Sequence, residues 1–302
     1  MQPGDTIGFV GLGNMGQPMS ARLGAAGFRV AAFDVDSGAR ERAAGNAGIE
    51  AVETARAVAA NAAAVILILP NSQIVREVVL DDGLLEAMDP GALLIDMSSS
   101  DATDTRELAG HPSKQRVRFL DAPVSGGVAG ARAGTLTIMV GGAEGDLADC
   151  RPALEALGKE VIHVGDLGAG HAVKALNNLL SATSLLASSE VLATATEFGL
   201  DPEVLLDVLN RSSGKSWSTE LKLPRFVLTG SYDSGFGVRL MLKDMQIATS
   251  LARTVGTPAL LGEAALQYWA QAADALAEDA DHTEIARWVA QRRRQQPLTD
   301  DD

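Results

Sequence analysis

A glycine-rich turn near the N-terminus sets the fold of the first half of this chain, and its sequence is GLGNMG. It follows the apolar run Thr6 to Val10 and precedes an amphipathic stretch from Pro18 to Ala26, so a strand, a tight turn and a helix are predicted. Gly11 allows the turn itself, Gly13 lets the backbone approach a pyrophosphate closely, and Gly16 lets the helix pack against the strand. Amides at the start of the helix would face the anion. The pattern predicts a dinucleotide-binding turn; the alternative is an ordinary glycine-rich turn.

The acidic residue Asp34 indicates which dinucleotide the turn would bind. It ends a predicted strand and follows Gly16 by 18 residues, close to the spacing at which a carboxylate meets the adenosine ribose hydroxyls. The 2′-phosphate of NADP would add negative charge beside it, and two unit charges about 4 Å apart repel by roughly 1 to 4 kcal/mol. Asp36 adds to this repulsion, and Arg40 is the nearest candidate for a phosphate contact. NAD is therefore predicted over NADP; the alternative is that these acids are solvated residues at a strand end.

The apolar runs of the first half are typical of a parallel sheet covered by helices on both faces. The run 28–34 closes a right-handed crossover unit with the first strand. Later runs are bounded by Pro70 and by Pro90, with helical stretches between them. The predicted fold class of this half is α/β, a Rossmann-like, doubly wound, mostly parallel sheet. The predicted strands after the first are 28–34, 64–69, 92–95, 117–120, 136–140 and 161–164.

The second half is predicted to be all-helical. From His171 to Phe198 the chain has neither Gly nor Pro, so these 28 residues are predicted to form one helix of about 42 Å that links two domains. Further helices are predicted at 202–210, 219–228, 238–254 and 258–276. The predicted domains are a dinucleotide-binding domain (1–165), the long helix (166–198), a helical substrate and oligomerisation domain (199–291) and a polar tail (292–302).

Charge balance and cysteine count exclude several classes of protein. The chain carries 25 Lys and Arg against 39 Asp and Glu, a formal net charge of −14, so nucleic acid and anionic membranes are poor partners. The single cysteine, Cys150, cannot form an intrachain disulfide and is expected to fill the core in a reducing compartment. No basic leader precedes the first apolar run, and no uncharged apolar stretch approaches the roughly 20 residues of a membrane span. A soluble, cytoplasmic protein is expected, and the four scattered histidines predict no metal site.

The segment from Asp121 to Gly130 is a candidate anion site, because it follows a predicted strand and contains two adjacent glycines. The hydroxyl of Ser125 and the amides of Gly126 and Gly127 could form a small nest for a carboxylate without a cationic side chain. The alternative is a plain loop.

Lys174, Asn177 and Asn178 form a third candidate group, because positions i, i+3 and i+4 share one face of a helix. Near a nicotinamide, the amine could take the hydroxyl proton as hydride leaves carbon, or return it in the reductive direction. A lysine acts as a base near neutral pH only if its pKa falls from about 10.4 toward about 7 to 8. The alternative is an ordinary surface lysine.

The pair Lys243 and Asp244 interrupts an otherwise apolar helical stretch. From the residues alone, the solvent-exposed face of the helix is the favoured location, and insertion near a site is the alternative. The serine run 98–100 follows a strand end and could touch a cofactor, although serine-rich turns are common.

These four segments, in this order and at these intervals, resemble the β-hydroxyacid dehydrogenase family over nearly the whole chain, to about Val289. The stretch Asn210 to Trp217 is closest to the 3-hydroxyisobutyrate dehydrogenase branch. The resemblance implies that Lys174 is the catalytic acid/base and that the helical domain makes homodimer or homotetramer contacts. The substrate residues it implies are Ser125, Gly126, Gly127, Asn178, Trp217 and Lys222. The cofactor residues are Gly11, Leu12, Gly13, Asn14, Met15, Gly16, Asp34, Leu69, Pro70, Ser99 and Lys243.

Two positions depart from the family pattern. Lys222 stands where that branch has a tyrosine, five residues after Trp217, and Ser99 replaces the usual threonine of a Ser-Thr pair. A lysine facing the pocket would select a more acidic substrate than hydroxyisobutyrate; a surface location for Lys222 is the alternative.

The predicted reaction is reversible NAD-dependent oxidation of a short 3-hydroxy carboxylic acid to its semialdehyde. A dehydrogenase or reductase for serine, a tartronate semialdehyde or a threonate-like acid is the alternative within the same class. An imine reductase is also possible. A non-catalytic NAD(P)-binding interaction module on the same fold is the alternative from another class, and it has no need for an amine at Lys174.

Overall fold

The computed structural model describes residues 1–111 and 117–292 of the 302-residue chain. The chain forms two compact units, divided between Lys174 and Ala175. The division lies inside the long helix rather than at either of its predicted ends. Of the predicted polar tail, only Arg292 belongs to the described residues, as the last residue of a helix.

The first unit is built on one sheet of nine strands in its described residues. Six strands are parallel in the order β3-β2-β1-β4-β5-β6, then β8 pairs antiparallel with β6 and β7, and parallel with β9. This arrangement confirms the predicted α/β, doubly wound, mostly parallel class. The strands are β1 (Thr6–Val10), β2 (Arg29–Phe33), β3 (Ile49–Ala51), β4 (Ala64–Leu67), β5 (Leu93–Asp96), β6 (Arg118–Asp121), β7 (Val124–Ser125), β8 (Leu136–Gly141) and β9 (Gly158–Gly165).

Both faces of this sheet are covered, which explains why its central strands are continuous apolar runs. Along β4, Ala64 and Ile66 pack into one core cluster, while Val65 and Leu67 pack into the other. The covering helices are α1 (Gly16–Ala25), α2 (Ser37–Ala44), α3 (Ser72–Arg76), α4 (Leu84–Ala87), α5 (Ala102–Ala109), α6 (Gly127–Ala133) and α7 (Glu144–Leu157). A 3₁₀ turn (Ala55–Ala59) and a π-helical stretch (Glu77–Asp81) complete the layer.

The predicted core role of Cys150 is confirmed. Its side chain in α7 is fully buried, and burial raises the pKa of the thiol to about 12. The thiol therefore stays protonated and unreactive near neutral pH.

The strand order reverses between β1 and β4, which defines the topological switch point of the sheet. Open α/β folds bind ligands in the crevice outside the carboxyl ends of the strands at this point. The glycine turn follows β1 directly, so the fold places the predicted cofactor turn at the expected position.

The two shortest strands were not predicted from the sequence. Two elements, β3 and β7, have only three and two residues, too few for a periodicity to appear, and β7 lies in the segment predicted as a nest or a loop. The ninth strand begins at Gly158, three residues before its predicted start.

The second unit is helical, as predicted, and residues 175–292 contain no strand. Its elements are the later part of α8 (Ala169–Phe198), α9 (Pro202–Asn210), a π-helix (Ser218–Val227), α10 (Val238–Thr254), α11 (Leu260–Ala275), a 3₁₀ turn (His282–Glu284) and α12 (Ile285–Arg292). The long helix begins two residues before His171, the start of the run without Gly or Pro, and α12 was not predicted. A core around Trp269 and Met245 holds the helices together.

The long helix α8 is the one described helix that is long and apolar enough to cross a membrane by length and composition. Core helices of soluble proteins pass the same test. Some of its apolar side chains, such as Ala182 and Leu185, are buried in the core of the second unit, whereas others, such as Leu180 and Phe198, are exposed.

Candidate active site

The glycine turn after β1 touches the turn after β4. Gly11 has a φ of +99°, and a Cβ there would lie 2.3 Å from the carbonyl oxygen of Ile68. A Cβ at Gly16 would lie 1.8 Å from the carbonyl oxygen of Gly11. Both positions therefore need glycine for reasons internal to the protein: the turn itself and the close packing of α1.

Gly13 has a different reason to be glycine. It is exposed, and apart from its two chain neighbours no described residue has an atom within 4 Å of a Cβ built on it, so the protein itself does not exclude a side chain there. Nearby, Leu12 is buried, Asn14 is exposed and Met15 is half-buried. No described side chain caps α1, and its first turn holds no acidic residue. The amide N–H groups at this helix start can receive an anion, so the turn fits a dinucleotide pyrophosphate.

Asp34 directly follows β2 and is joined to the glycine turn. Its Oδ2 accepts a 2.6 Å hydrogen bond from the backbone N–H of Leu12, and its Oδ1 accepts one of 2.9 Å from that of Asp36. Each carboxylate oxygen keeps a second lone pair that a ribose hydroxyl can use. Arg40 donates to the backbone carbonyl of Asp34 at 2.8 Å and pairs with Glu53 at 3.2 Å. The nearest candidate for a 2′-phosphate contact is thus already engaged.

The turns after β4 and β5 lie beside each other at the same edge of the sheet. The backbone N–H of Leu69 donates to Oγ of Ser98 at 2.8 Å, and the backbone N–H of Ser98 donates to Oδ1 of Asp96 at 2.9 Å. Ser98 is buried and structural, whereas Ser99 is half-buried and Pro70 is exposed. The structure therefore brings the predicted cofactor segments of β1, β2, β4 and β5 to one edge.

The predicted carboxylate nest begins with the short strand β7. Ser125 pairs with Thr137 of β8, and the next two residues have positive φ, +128° at Gly126 and +62° at Gly127. Both glycines are exposed, and no described atom lies within 4 Å of a Cβ on Gly127. Their backbone groups are therefore open to a ligand, and the segment consists of the strand β7 and the start of α6.

Lys174 lies in the second turn of α8 and is only 9% exposed, so the alternative of an ordinary surface lysine is wrong. The two asparagines that follow it differ in environment. Asn177 is exposed, whereas Asn178 is 5% exposed. Only the second of the two predicted amides is enclosed by the protein.

The orientation of Asn178 is set by Asp244. The Nδ2 of Asn178 donates to Oδ2 of Asp244 at 2.6 Å, and its Oδ1 accepts from Nδ2 of Asn177 at 3.2 Å. A carboxylate only accepts hydrogen bonds, so the amide nitrogen must face it, and one N–H of Asn178 remains for a ligand. The other Asp244 oxygen lies 3.0 Å from Nζ of Lys243, whose side chain is 24% exposed. The favoured prediction of a solvent-facing pair is therefore wrong, because Asp244 is 1% exposed.

The surface location considered for Lys222 is also wrong. Lys222 belongs to the π-helix Ser218–Val227, and its side chain is buried. Its Nζ donates to Oγ of Ser181 at 2.8 Å. π-Helices are rare and occur frequently at functional sites. Trp217, the residue just before this helix, is 65% exposed.

A buried histidine lies near Lys222 in the second unit. Burial lowers the pKa of His282, and the positive charge of Lys222 lowers it further, against the opposing effect of Asp281. The pKa of Asp281 is itself below its usual range: burial would raise it, but hydrogen bonds to His282 and Thr283 prevail. His282 therefore adds no positive charge beside Lys222 at neutral pH.

Three acidic residues are buried, which the sequence patterns did not predict for any of them. Asp96 and Asp121 end strands β5 and β6, and both are buried. An acid at the end of an apolar run was the available signal for these two. Asp244 gave no such signal, because helical periodicity alone does not reveal which charged residue of an adjacent pair turns inward.

Comparison with known proteins agrees with these features. Residues 6–165 match the family model for the NAD-binding domain of 6-phosphogluconate dehydrogenase, and residues 168–289 match that for the NAD-binding region of NADP-dependent 3-hydroxyisobutyrate dehydrogenase. The 3-hydroxyisobutyrate dehydrogenase of Pseudomonas aeruginosa is 40% identical over 91% of this chain and 94% of its own length. The 2-(hydroxymethyl)glutarate dehydrogenase of Eubacterium barkeri is 38% identical, over 85% of this chain and 86% of that protein.

A solved structure gives the same result. The structure of Mycobacterium tuberculosis 3-hydroxyisobutyrate dehydrogenase with L-serine has a TM-score of 0.87 and 36% sequence identity, covering 95% of this chain and 99% of that one. Fold and residues together define a nicotinamide-dependent dehydrogenase. The chain belongs to the β-hydroxyacid dehydrogenase family, in its 3-hydroxyisobutyrate dehydrogenase branch. It is an NAD-binding oxidoreductase.

Proposed function

We propose that this enzyme interconverts a short 3-hydroxy carboxylic acid, of the size of 3-hydroxyisobutyrate, and its semialdehyde. The observation that carries the proposal is Lys174, an amine enclosed by the protein in the second turn of α8. A dinucleotide-binding interaction module has no use for such a group. NAD, when bound, supplies the acceptor for the hydride that leaves the hydroxyl-bearing carbon.

The protein's own residues would do the remaining work. Lys174 takes the proton of the hydroxyl in the oxidative direction and returns it in the reductive one. Asn178 donates its remaining amide N–H to the hydroxyl oxygen and so holds the reacting group in place. Ser125 and the amides of Gly126 and Gly127 bind the substrate carboxylate.

A panel of 3-hydroxy acids and their aldehydes, each with NAD and NADP, tests this proposal through the absorbance of the reduced nicotinamide. The panel includes 3-hydroxyisobutyrate, serine, a tartronate semialdehyde and a threonate-like acid. We expect kcat/KM with NAD to exceed that with NADP by about tenfold or more, because charge repulsion at Asp34 is worth roughly 1 to 4 kcal/mol. Equal kcat/KM values with NAD and NADP would show that Asp34 does not select NAD. No turnover with any compound would favour the interaction module.

A second candidate substrate class, a hydroxy acid with two carboxylates, is favoured by the buried Lys222. Ser181, its hydrogen-bond acceptor, follows Asn178 by three residues on α8, so these two side chains lie on neighbouring positions of one helix face. An amine there suits a second carboxylate, and one of the relatives is a 2-(hydroxymethyl)glutarate dehydrogenase. In this form of the proposal, Asn178 holds the hydroxyl and Lys222 holds the distal carboxylate.

The substitution Lys222→Met separates the two substrate classes. We expect it to lower kcat/KM for 2-(hydroxymethyl)glutarate relative to 3-hydroxyisobutyrate by about tenfold or more, since a hydrogen bond to a charged group contributes roughly 1.5 to 3 kcal/mol. Lys215→Met is the matched control. Lys215 is exposed, precedes the same π-helix and forms an ion pair with Glu220 of that helix. If the ratio of the two kcat/KM values is unchanged in a folded Lys222→Met protein, Lys222 does not bind a second carboxylate, and the substrate with one carboxylate is favoured.

The assembly and location of the enzyme are also part of the proposal. We infer a cytoplasmic homodimer or homotetramer. The single buried Cys150 suits a reducing compartment, and exposed apolar side chains of the second unit, including Phe198 and Leu260, suit contacts between copies.

A further inference from the structure

A buried polar cluster in the first unit has no part in the proton and hydride transfers described above. Its members are Asp96, Thr105, Asp121 and His171, all at most 3% exposed. Buried polar and charged groups are costly unless they are hydrogen-bonded, so a cluster of this kind needs a structural or functional reason.

The carboxylate of Asp121 holds the start of α8. Its Oδ1 accepts from the backbone N–H of Gly168 at 2.7 Å, and its Oδ2 accepts from that of His171 at 2.8 Å. Two glycines make room for it: a Cβ at Gly141 or at Gly170 would lie 2.4 or 2.8 Å from a carboxylate oxygen. The strand end of β6 is thereby fixed to the first turn of the helix.

The side chain of His171 ties the same turn to α5. The hydroxyl of Thr105 donates to the backbone carbonyl of Asp101 at 2.9 Å, so its oxygen must accept from Nδ1–H of His171 at 2.7 Å. The Nε2 of His171 lies 3.7 Å from Oδ2 of Asp96 and makes no hydrogen bond to the described residues. The imidazole is therefore held by one directed bond and packed against the acid that ends β5.

A simple helix cap would not need this burial. Asp201 caps α9 from the surface, where one carboxylate oxygen accepts from the backbone N–H groups of Glu203 and Val204. An exposed cap of this kind stabilises the start of a helix without the desolvation that Asp121 incurs. The buried arrangement also fixes position, because it joins the first turn of α8 to the buried ends of strands β5 and β6.

We propose that Asp121 and His171 are positioning residues that hold Lys174 at the place where it exchanges the proton. Lys174 follows His171 by three residues and lies on the next turn of the same helix, so a shift of that first turn moves the amine. The inference rests on the proposed function of Lys174. A displacement of about 1 Å at a reacting group can cost on the order of 100-fold in rate.

Four variants test the inference: Asp121→Asn, His171→Leu, His171→Asn and the control Asp201→Asn. We expect Asp121→Asn to lower kcat by about 10- to 100-fold, with KM for the hydroxy acid changed less than about threefold. The limb of the pH profile of kcat/KM that reports the essential base should also shift, which a loss of stability alone would not cause. His171→Leu should lose about tenfold in kcat, and His171→Asn, whose amide can replace Nδ1, should recover most of it.

Hydrogen exchange at the amides of residues 168–174 supplies a readout that needs no turnover. It should accelerate by about tenfold or more in Asp121→Asn and in His171→Leu, whereas Asp201→Asn should leave both kcat and these amides unchanged. Wild-type kcat and wild-type exchange in the folded variants would overturn the inference. If Asp121→Asn fails to fold, the two His171 variants decide. If the unmodified protein turns over no hydroxy acid, the proposed function fails, and the exchange rates alone decide whether the cluster fixes the helix start.

Discussion

Replacing Lys174 by alanine is expected to lower kcat by about 10²- to 10⁴-fold, the range that positioned proton transfer contributes to catalysis. The affinity for NAD should barely change, because the glycine turn and Asp34 belong to other segments of the first unit, and the Asp34 carboxylate is held by the backbone N–H groups of Leu12 and Asp36. Initial rates with the best hydroxy acid of the panel, together with a fluorescence titration of NAD, measure the two quantities separately.

Lys159→Ala is the matched control for this experiment. Lys159 is an exposed lysine of β9 in the same unit, so its loss removes one positive charge without touching the proposed site. Near-normal turnover in Lys174→Ala would refute the catalytic role. A parallel loss of NAD binding or of the folded state would mean that the residue acts by holding the structure together instead.

Replacing Gly16 by alanine is expected to abolish high-affinity NAD binding and to destabilise the fold. The new methyl group would lie 1.8 Å from the carbonyl oxygen of Gly11, so the turn or helix α1 must shift. Alanine stabilises a helix relative to glycine by up to about 1 kcal/mol, but overpacking against the backbone costs about 1 to 3 kcal/mol or more. The free energy of unfolding should therefore fall. Denaturant unfolding and NAD titration check the two effects, and wild-type values for both would contradict the observed packing.

Gly13→Ala is the matched variant with the opposite expectation for stability. Apart from its two chain neighbours, no described residue has an atom within 4 Å of its Cβ position, so the free energy of unfolding should stay within about 0.5 kcal/mol of the wild-type value. NAD affinity should still fall by about tenfold or more, because the methyl group lies where the pyrophosphate approaches. A Gly13→Ala protein that binds NAD normally would place the pyrophosphate elsewhere.

The first unit is largely predictable from sequence, because its signals are local. The glycine turn needs three glycines at fixed spacing, and central strands such as β4 are uninterrupted apolar runs. The long helix was predictable from the absence of Gly and Pro between His171 and Phe198. Each of these features depends on the backbone or on burial of a whole segment, which a pattern of residue types records well.

The parts that sequence patterns did not predict are contacts between residues distant in the chain. Asp121 holds amides 47 and 50 residues away, and Asp244 fixes Asn178 across 66 residues. Lys222 is similarly placed by Ser181, 41 residues earlier. A charged residue is usually exposed, so residue type alone favours the surface for each of these positions. Only the packing of the elements shows which acids and lysines turn inward.

The most direct measurement is a crystal structure of the enzyme with NAD and a bound 3-hydroxy acid, in which the distance from Lys174 to the substrate hydroxyl is measured. We expect Nζ of Lys174 to lie about 2.6 to 3.2 Å from the hydroxyl oxygen of the substrate, which in turn sits over the nicotinamide. An ε-amine that points into bulk solvent, with the hydroxyl held by other groups, would contradict the role of Lys174 on which the proposed reaction depends.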